Sequence, residues 1–206
     1  MIKSIIFDFD GTIADTLKLT LDCANQVSLK YLNKKLNYSK KIRDMKPLEI
    51  IRELGIPIHK VQFYLKETQA LLTTKADDIK LFKGMKPLLK KLKRDYRIGI
   101  ITTSKSELIN SVLQKNNVDL IDFIFSGSSI FGKHAVLQEL IKKHGLKKEE
   151  TVYIGDEIRD VEASKKAGIK VIAVTWGYNA RKALETAKAD IVVDKPAELI
   201  KAINSL

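Results

Sequence analysis

The sequence predicts an α/β fold: a doubly wound, Rossmann-like core built on a parallel sheet, with an all-helical module inserted after the first strand. Three observations carry this expectation. Six short, apolar, β-branched runs recur along the chain, and continuous apolar runs of this length mark strands buried on both faces. Amphipathic stretches with helical spacing lie between most of them. One interval, almost ninety residues between the first run and the second, is far longer than a crossover needs and contains helical patterns only.

The first strand is expected over Ile2–Phe9. Leu17–Leu32, Pro47–Leu54 and His59–Thr73 then read as helices. Residues 17–80 are therefore taken as the inserted module and residues 1–16 and 81–206 as the core. Met85–Tyr96 places Leu88, Leu89 and Leu92 on one helical face, ahead of a second strand at Arg97–Thr102. Glu107–Gln114 offers Leu108, Ile109, Val112 and Leu113, followed by a third strand at Ile121–Ser126. Ala135–Lys143 carries Val136, Leu137, Leu140 and Ile141 and stops at Gly145, a residue suited to a C-terminal cap. Thr151–Gly155 is the fourth strand, and the helix Ile158–Ala167 ends at Gly168 in the same way. Lys170–Thr175 and Asp190–Val193 complete the set, and the alternation argues for a doubly wound sheet.

Composition narrows the function classes. A chain of 206 residues suits one domain carrying a smaller insert, and it buries roughly 70% of its unfolded surface without staples. Ten Gly and four Pro are too few for a disordered or fibrous chain. A single cysteine, Cys23, excludes a disulfide framework and a Cys-rich zinc site, and fits a reducing compartment. No apolar run approaches the roughly 18 residues of a spanning helix, and Met1 to Asp10 lacks a signal-peptide pattern, so a cytoplasmic protein without a membrane partner is expected. The net charge of +12 is split evenly: residues 17–80 hold 13 basic against 7 acidic residues, which is half the excess. It forms no tail or arginine-rich stripe and comes without stacking aromatics, so a lysine-rich solvated surface is favoured over nucleic-acid binding. The sequence leaves the oligomeric state open.

Ligands of an open parallel sheet bind beyond the carboxyl ends of its strands, at the topological switch point. What ends each strand is therefore informative. The first ends in Asp8-Phe9-Asp10-Gly11-Thr12, where a chain breaking at Gly11 can aim both acids at one pocket. Unpaired acids there repel each other unless a cation or a reaction uses them. The second ends in Thr102-Thr103-Ser104-Lys105, hydroxyls and N–H groups able to hold an anion, although Ser104 and Lys105 fit a helix N-cap and a solvated lysine equally well. The fourth ends in Gly155-Asp156, with Asp160 about one helical turn on. A third acidic strand end points to a metal. Lys133, after the third strand, is the basic residue expected in the pocket.

These residues resemble the four motifs of the haloacid dehalogenase superfamily, in order and across the whole core. The helical insert, Ala163…Ala167-Gly168 and Val174-Thr175-Trp176-Gly177 are similar to its phosphoglycolate phosphatase-like branch. Two features depart from it: His134 stands where a Pro usually follows the lysine, and the cap's usual Gly-x-Pro turn reads Met45-Lys46-Pro47. The resemblance implies a phosphatase for a small phosphorylated metabolite. Asp8 is then the nucleophile that forms an aspartyl-phosphate, and Asp10 the general acid and base. It implies Mg²⁺ held by Asp8, the Asp10 carbonyl and Asp156, with Asp160 orienting that shell. Gly11, Thr102, the Thr103 N–H and Lys133 would hold the phosphoryl oxygens. Arg43 and Lys46, in the cap turn, are expected to meet an anionic group on the leaving part of the substrate.

Other residues carry ordinary expectations: Cys23 as a packed thiol, His59, His134 and His144 as surface or helix-end groups, Trp176 as packing beside the site. The competing functions are a β-phosphoglucomutase-like mutase, which shares the two-Asp start and a helical cap, a signalling receiver domain, and a non-enzymatic nucleic-acid binder.

Overall fold

The computed structural model describes residues 1–38, 40–126 and 132–206. Six parallel strands, β1 (Ser4–Phe7), β2 (Arg97–Ile101), β3 (Phe123–Phe125), β4 (Thr151–Gly155), β5 (Lys170–Val174) and β6 (Ile191–Val193), form one sheet in the order β3-β2-β1-β4-β5-β6. The order reverses at β1. Phe7 pairs with Ile100 of β2 on one side and Ile154 of β4 on the other, which puts the ends of β1 and β4 side by side at the switch point.

Side-chain alternation sorts the strands into two packed layers. Ile5, Phe7, Val152, Ile154, Ile172 and Val174 face a core shared with α4 (Met85–Leu92), α5 (Ser106–Lys115) and α9 (Leu199–Asn204). Ile6, Tyr153, Val171 and Ala173 face α6 (Lys133–Lys143), α7 (Ile158–Ala167) and α8 (Arg181–Thr186). Gly168, at φ 76°, closes α7 in the left-handed conformation that glycine tolerates, and its N–H reaches Ser164 and Lys165 carbonyls.

Between β1 and β2 run α1 (Leu17–Leu32), a 3-10 turn at Lys40–Asp44, α2 (Pro47–Glu53), a 3-10 turn at Ile58–Lys60 and α3 (Val61–Thr73). Val27, Leu36, Ile51, Leu54, Ile56, Val61 and Tyr64 give this segment its own small core. Cys23, Leu72, Ala76 and Ile79 pack instead with the main core, so the two hydrophobic bodies meet at the base of α1 and α3.

Several expected bounds shift. The first strand starts at Ser4 and ends at Phe7, where pairing with both neighbours holds. The third shrinks to Phe123–Phe125, because only Gly99–Ile101 of β2 faces it. The helix from Met85 ends at Leu92 rather than Tyr96, and His59–Thr73 resolves into a 3-10 turn followed by α3. No helix among the described residues is long and apolar enough to cross a membrane.

Candidate active site

Asp8 leaves the end of β1, its N–H still bonded to the Ile154 carbonyl, and its carboxylate is buried among groups delivered by three other elements. Lys133, the first residue of α6, places Nζ 2.7 Å from Asp8 Oδ2 and 2.5 Å from Asp160 Oδ1. Asp8 Oδ1 accepts the Phe9 N–H. Asp156, at the end of β4, accepts the Thr12 hydroxyl on Oδ1 (2.6 Å) and the Tyr178 N–H on Oδ2 (2.7 Å). Asp160 is also the N-terminal anchor of α7, where its Oδ2 accepts the Glu157 N–H.

Asp8, Asp156 and Asp160 each bring a carboxylate oxygen within 4.8 Å of the others, and all are buried. Among the described residues Lys133 is the one cation bonded to them, so the three carboxyls, when all ionised, carry an excess of two negative charges. Burial, partly offset by Lys133 and reinforced by Asp160, pushes the Asp8 carboxyl up to about 7. Burial and then the Asp8 charge drive Asp156 well above the usual carboxylate range. Lys133 is held above its ordinary value because Asp160 and Asp8 outweigh the burial that opposes its charge. Each carboxylate oxygen of Asp8, Asp156 and Asp160 accepts one hydrogen bond. Three buried carboxyls that share one ammonium offer the oxygen ligands, and the charge imbalance, that a hard divalent cation would satisfy.

Close backbone approach makes this packing possible. A Cβ on Gly11 (φ +78°) would lie 2.3 Å from Asp156 Oδ2, and one on Gly177 would lie 2.1 Å from the same atom and 2.4 Å from the Gly11 carbonyl. Trp176 donates from Nε1 to the Thr12 carbonyl and stacks edge-on against Phe82, which fixes the loop that follows β5.

Asp10 stands apart from the cluster. Its Oδ2 accepts the Ser104 hydroxyl (2.7 Å) and the Thr102 hydroxyl (3.1 Å), while Oδ1 is buried without a partner among the described residues and Asp10 lines a cavity under the helical segment. Thr102 thus grips Asp10, and its oxygen also accepts the Ser104 N–H. Ser104 is not an N-cap: α5 begins at Ser106, and Ser104 instead helps orient Asp10. The Thr103 carbonyl accepts the Gln69 side-chain amide from α3.

Arg43 and Lys46 are used differently from the expectation. Arg43 donates to the carbonyls of Thr175, Gly177 and Tyr178, since the post-β5 loop presents a concave row of acceptors to it. Asn179, buried, answers by donating to the Arg43 and Met45 carbonyls, while its Oδ1 accepts the Ile158 N–H. Lys46 pairs with Glu162 at 2.6 Å, both exposed. Sequence reasoning missed Asn179, Tyr178 and Ser104 in these roles; the only signal was the position of Gly177 just past a strand end.

An acid cluster with a buried lysine at the switch point of a doubly wound sheet, beneath a helical roof, is the kind of site at which a parallel α/β enzyme does its chemistry. The model of the haloacid dehalogenase-like hydrolase family matches residues 5–174. The phosphoglycolate phosphatase of Synechococcus elongatus is 30% identical over 99% of this chain and 98% of its own. The pyrophosphatase PpaX of Bacillus cereus is 24% identical over 100% of this chain and 98% of its own. Among solved structures, a protein described as a predicted phosphatase from Clostridium acetobutylicum superposes with a TM-score of 0.86 at 21% identity, each chain covered fully. A haloacid dehalogenase-like hydrolase from Streptococcus pneumoniae gives 0.83 at 24% identity, with 98% of each chain covered. The chain belongs to the haloacid dehalogenase-like hydrolase family.

Proposed function

We propose that this hydrolase is a Mg²⁺-dependent phosphatase that cleaves a small phosphomonoester through an aspartyl-phosphate on Asp8. The observation that carries the reading is the division of labour between two acids. Asp8 sits in the charged cluster with Lys133 at 2.7 Å, and Asp10, on the cavity wall, has one oxygen held by Thr102 and Ser104 and the other unpaired among the described residues. The relatives' names, phosphoglycolate phosphatase and pyrophosphatase, share hydrolysis at phosphorus and differ in substrate.

In this mechanism an Asp8 oxygen attacks phosphorus in line, the P–O ester bond breaks, and Asp10 gives its proton to the departing alkoxide. Asp10 then takes a proton from water as that water attacks phosphorus, which releases phosphate and regenerates Asp8. Thr102 and Ser104 hold Asp10 Oδ2, so that Oδ1 is the oxygen presented for these transfers. Lys133 offsets charge on Asp8 and faces the transferring oxygens, together with the Thr103 N–H, whereas the Gly11 N–H is already given to the Ala14 carbonyl. When bound by Asp8, Asp156 and the Asp10 carbonyl, Mg²⁺ supplies the positive charge that lets an ionised Asp8 approach a phosphate dianion. Residues 17–80 act as a cap that excludes water over a core of residues 1–16 and 81–206.

The test is a phosphate-release assay over phosphomonoesters on EDTA-treated protein, with Mg²⁺ added back. Near-zero turnover without metal, restored by Mg²⁺ and suppressed by Ca²⁺, is expected. Undiminished hydrolysis by the chelated protein would remove the metal from the mechanism.

A further inference from the structure

A cavity of about 400 Å³ extends from Asp10 into the space between α1, α2 and α3, within the roughly 300–1,000 Å³ that small-molecule sites occupy. Because Asp10, the acid of the proposed mechanism, lines it, whatever fills it is the part of the substrate attached to the leaving oxygen. Its wall is hydrocarbon: Leu17, Leu21, Ile42, Met45, Ile50 and Leu65 are representative.

Among the described residues, two cationic side chains reach the lining, and both are engaged. Arg43 is spread over three carbonyls, and Arg159 pairs with Glu157 at 2.6 Å. The remaining Arg159 Nε–H is buried without a partner, but its charge acts on Asp8, at the phosphoryl end. A carboxylate or second phosphate drawn into this space would lose its water and gain no cation in return. Apolar surface would be favoured, and close-packed interiors do not otherwise keep such a space open.

We propose that the substrate is the phosphate monoester of an uncharged alcohol with a largely hydrocarbon body, aryl or branched alkyl. Hydroxy-acid phosphates and pyrophosphate are then poor substrates, in contrast to the names of the relatives. The inference rests on the phosphatase reading above.

The experiment measures kcat/KM of the Mg²⁺-loaded enzyme for primary alkyl phosphates from methyl to hexyl, with benzyl phosphate, 2-phosphoglycolate and pyrophosphate alongside, and p-nitrophenyl phosphate as a general reporter. Each methylene should raise kcat/KM by about fourfold until the cavity is filled. 2-Phosphoglycolate should fall below propyl phosphate. In Ala24→Phe, whose ring would occupy the cavity, the rise with chain length should flatten. If p-nitrophenyl phosphate is hydrolysed but the alkyl series is flat, or 2-phosphoglycolate or pyrophosphate exceeds the best apolar ester, the proposal is overturned and the phosphatase reading stands. If no ester in the set releases phosphate, the phosphatase reading falls and takes the proposal with it.

Discussion

Replacing Lys133 with methionine would leave the Asp8–Asp160 pair without its ammonium. Lys133 is 3% exposed, and its Nζ is the donor to Asp8 Oδ2 at 2.7 Å and to Asp160 Oδ1 at 2.5 Å. Methionine keeps the length of the side chain and its packing but strands two buried carboxylates. Breaking a buried pair by removing one partner costs about 3–5 kcal/mol, a large part of the roughly 5–15 kcal/mol that holds a domain folded. In urea, with m near 2 kcal/mol/M, the midpoint should fall by about 1.5–2.5 M. The deficit should also depend on pH. Asp8 already titrates at about 7 in the folded protein against an ordinary 3.8, so the folded state binds the extra proton between those values. Stability conferred by that proton is present at low pH and lost as pH rises through the folded value. Without Lys133 the folded value rises further, so the EDTA-treated variant should lie closer to the parent at pH 5 than at pH 8. Adding Asp160→Asn to Lys133→Met should recover part of the loss, since it removes one stranded charge. A midpoint shift under about 0.5 M, or a deficit that ignores pH, would mean that water already solvates the pair and that the electrostatic account of the cluster is wrong.

Gly177→Ala should displace Asp156, because the new Cβ would stand 2.1 Å from Oδ2; calorimetric titration should show Mg²⁺ affinity weakened by about 10–100-fold. Arg43→Ala removes the donors to Thr175, Gly177 and Tyr178, so hydrogen exchange in residues 175–180 should accelerate and KM should rise alike for anionic and neutral esters. A loss confined to anionic esters would return Arg43 to the role of a substrate clamp. Asp10→Asn should slow alkyl esters by about 10²–10⁴-fold and aryl esters much less, since good leaving groups need no proton; equal losses would remove Asp10 as the acid.

The sequence made the sheet legible because its strands are buried on both faces, and burial leaves its mark in every residue of a run. Thr151–Gly155 and Ile158–Ala167 appear with their expected bounds, the latter because Gly168 supplies a left-handed stop. Strand ends were less legible: Ile2 and Ile121 are apolar, yet pairing, which depends on the neighbour's length, excludes them. Neither α8 nor α9 was foreseen, as six residues give too little periodicity to read. Convergence of Asp8, Lys133, Asp156 and Asp160 follows from strand ends that share one edge of the sheet, so local position was enough to suggest it. The grip of Ser104 and Thr102 on Asp10, and the clasp of Arg43 and Asn179, span from 92 to 136 residues of chain. No local spacing records contacts of that kind. Arg43 is the instructive case: a basic turn residue beside a pocket looks like an anion receptor until the loop of carbonyls opposite it is known.

The covalent step on Asp8 is most directly tested by acid-quenching the Mg²⁺-loaded enzyme during turnover of a ³²P-labelled phosphomonoester and mapping the label on peptides. The account predicts an acid-stable, hydroxylamine-labile label on the peptide holding Asp8, absent from Asp8→Asn. Label that is missing while phosphate is released at full rate, or that sits on another residue, would contradict it.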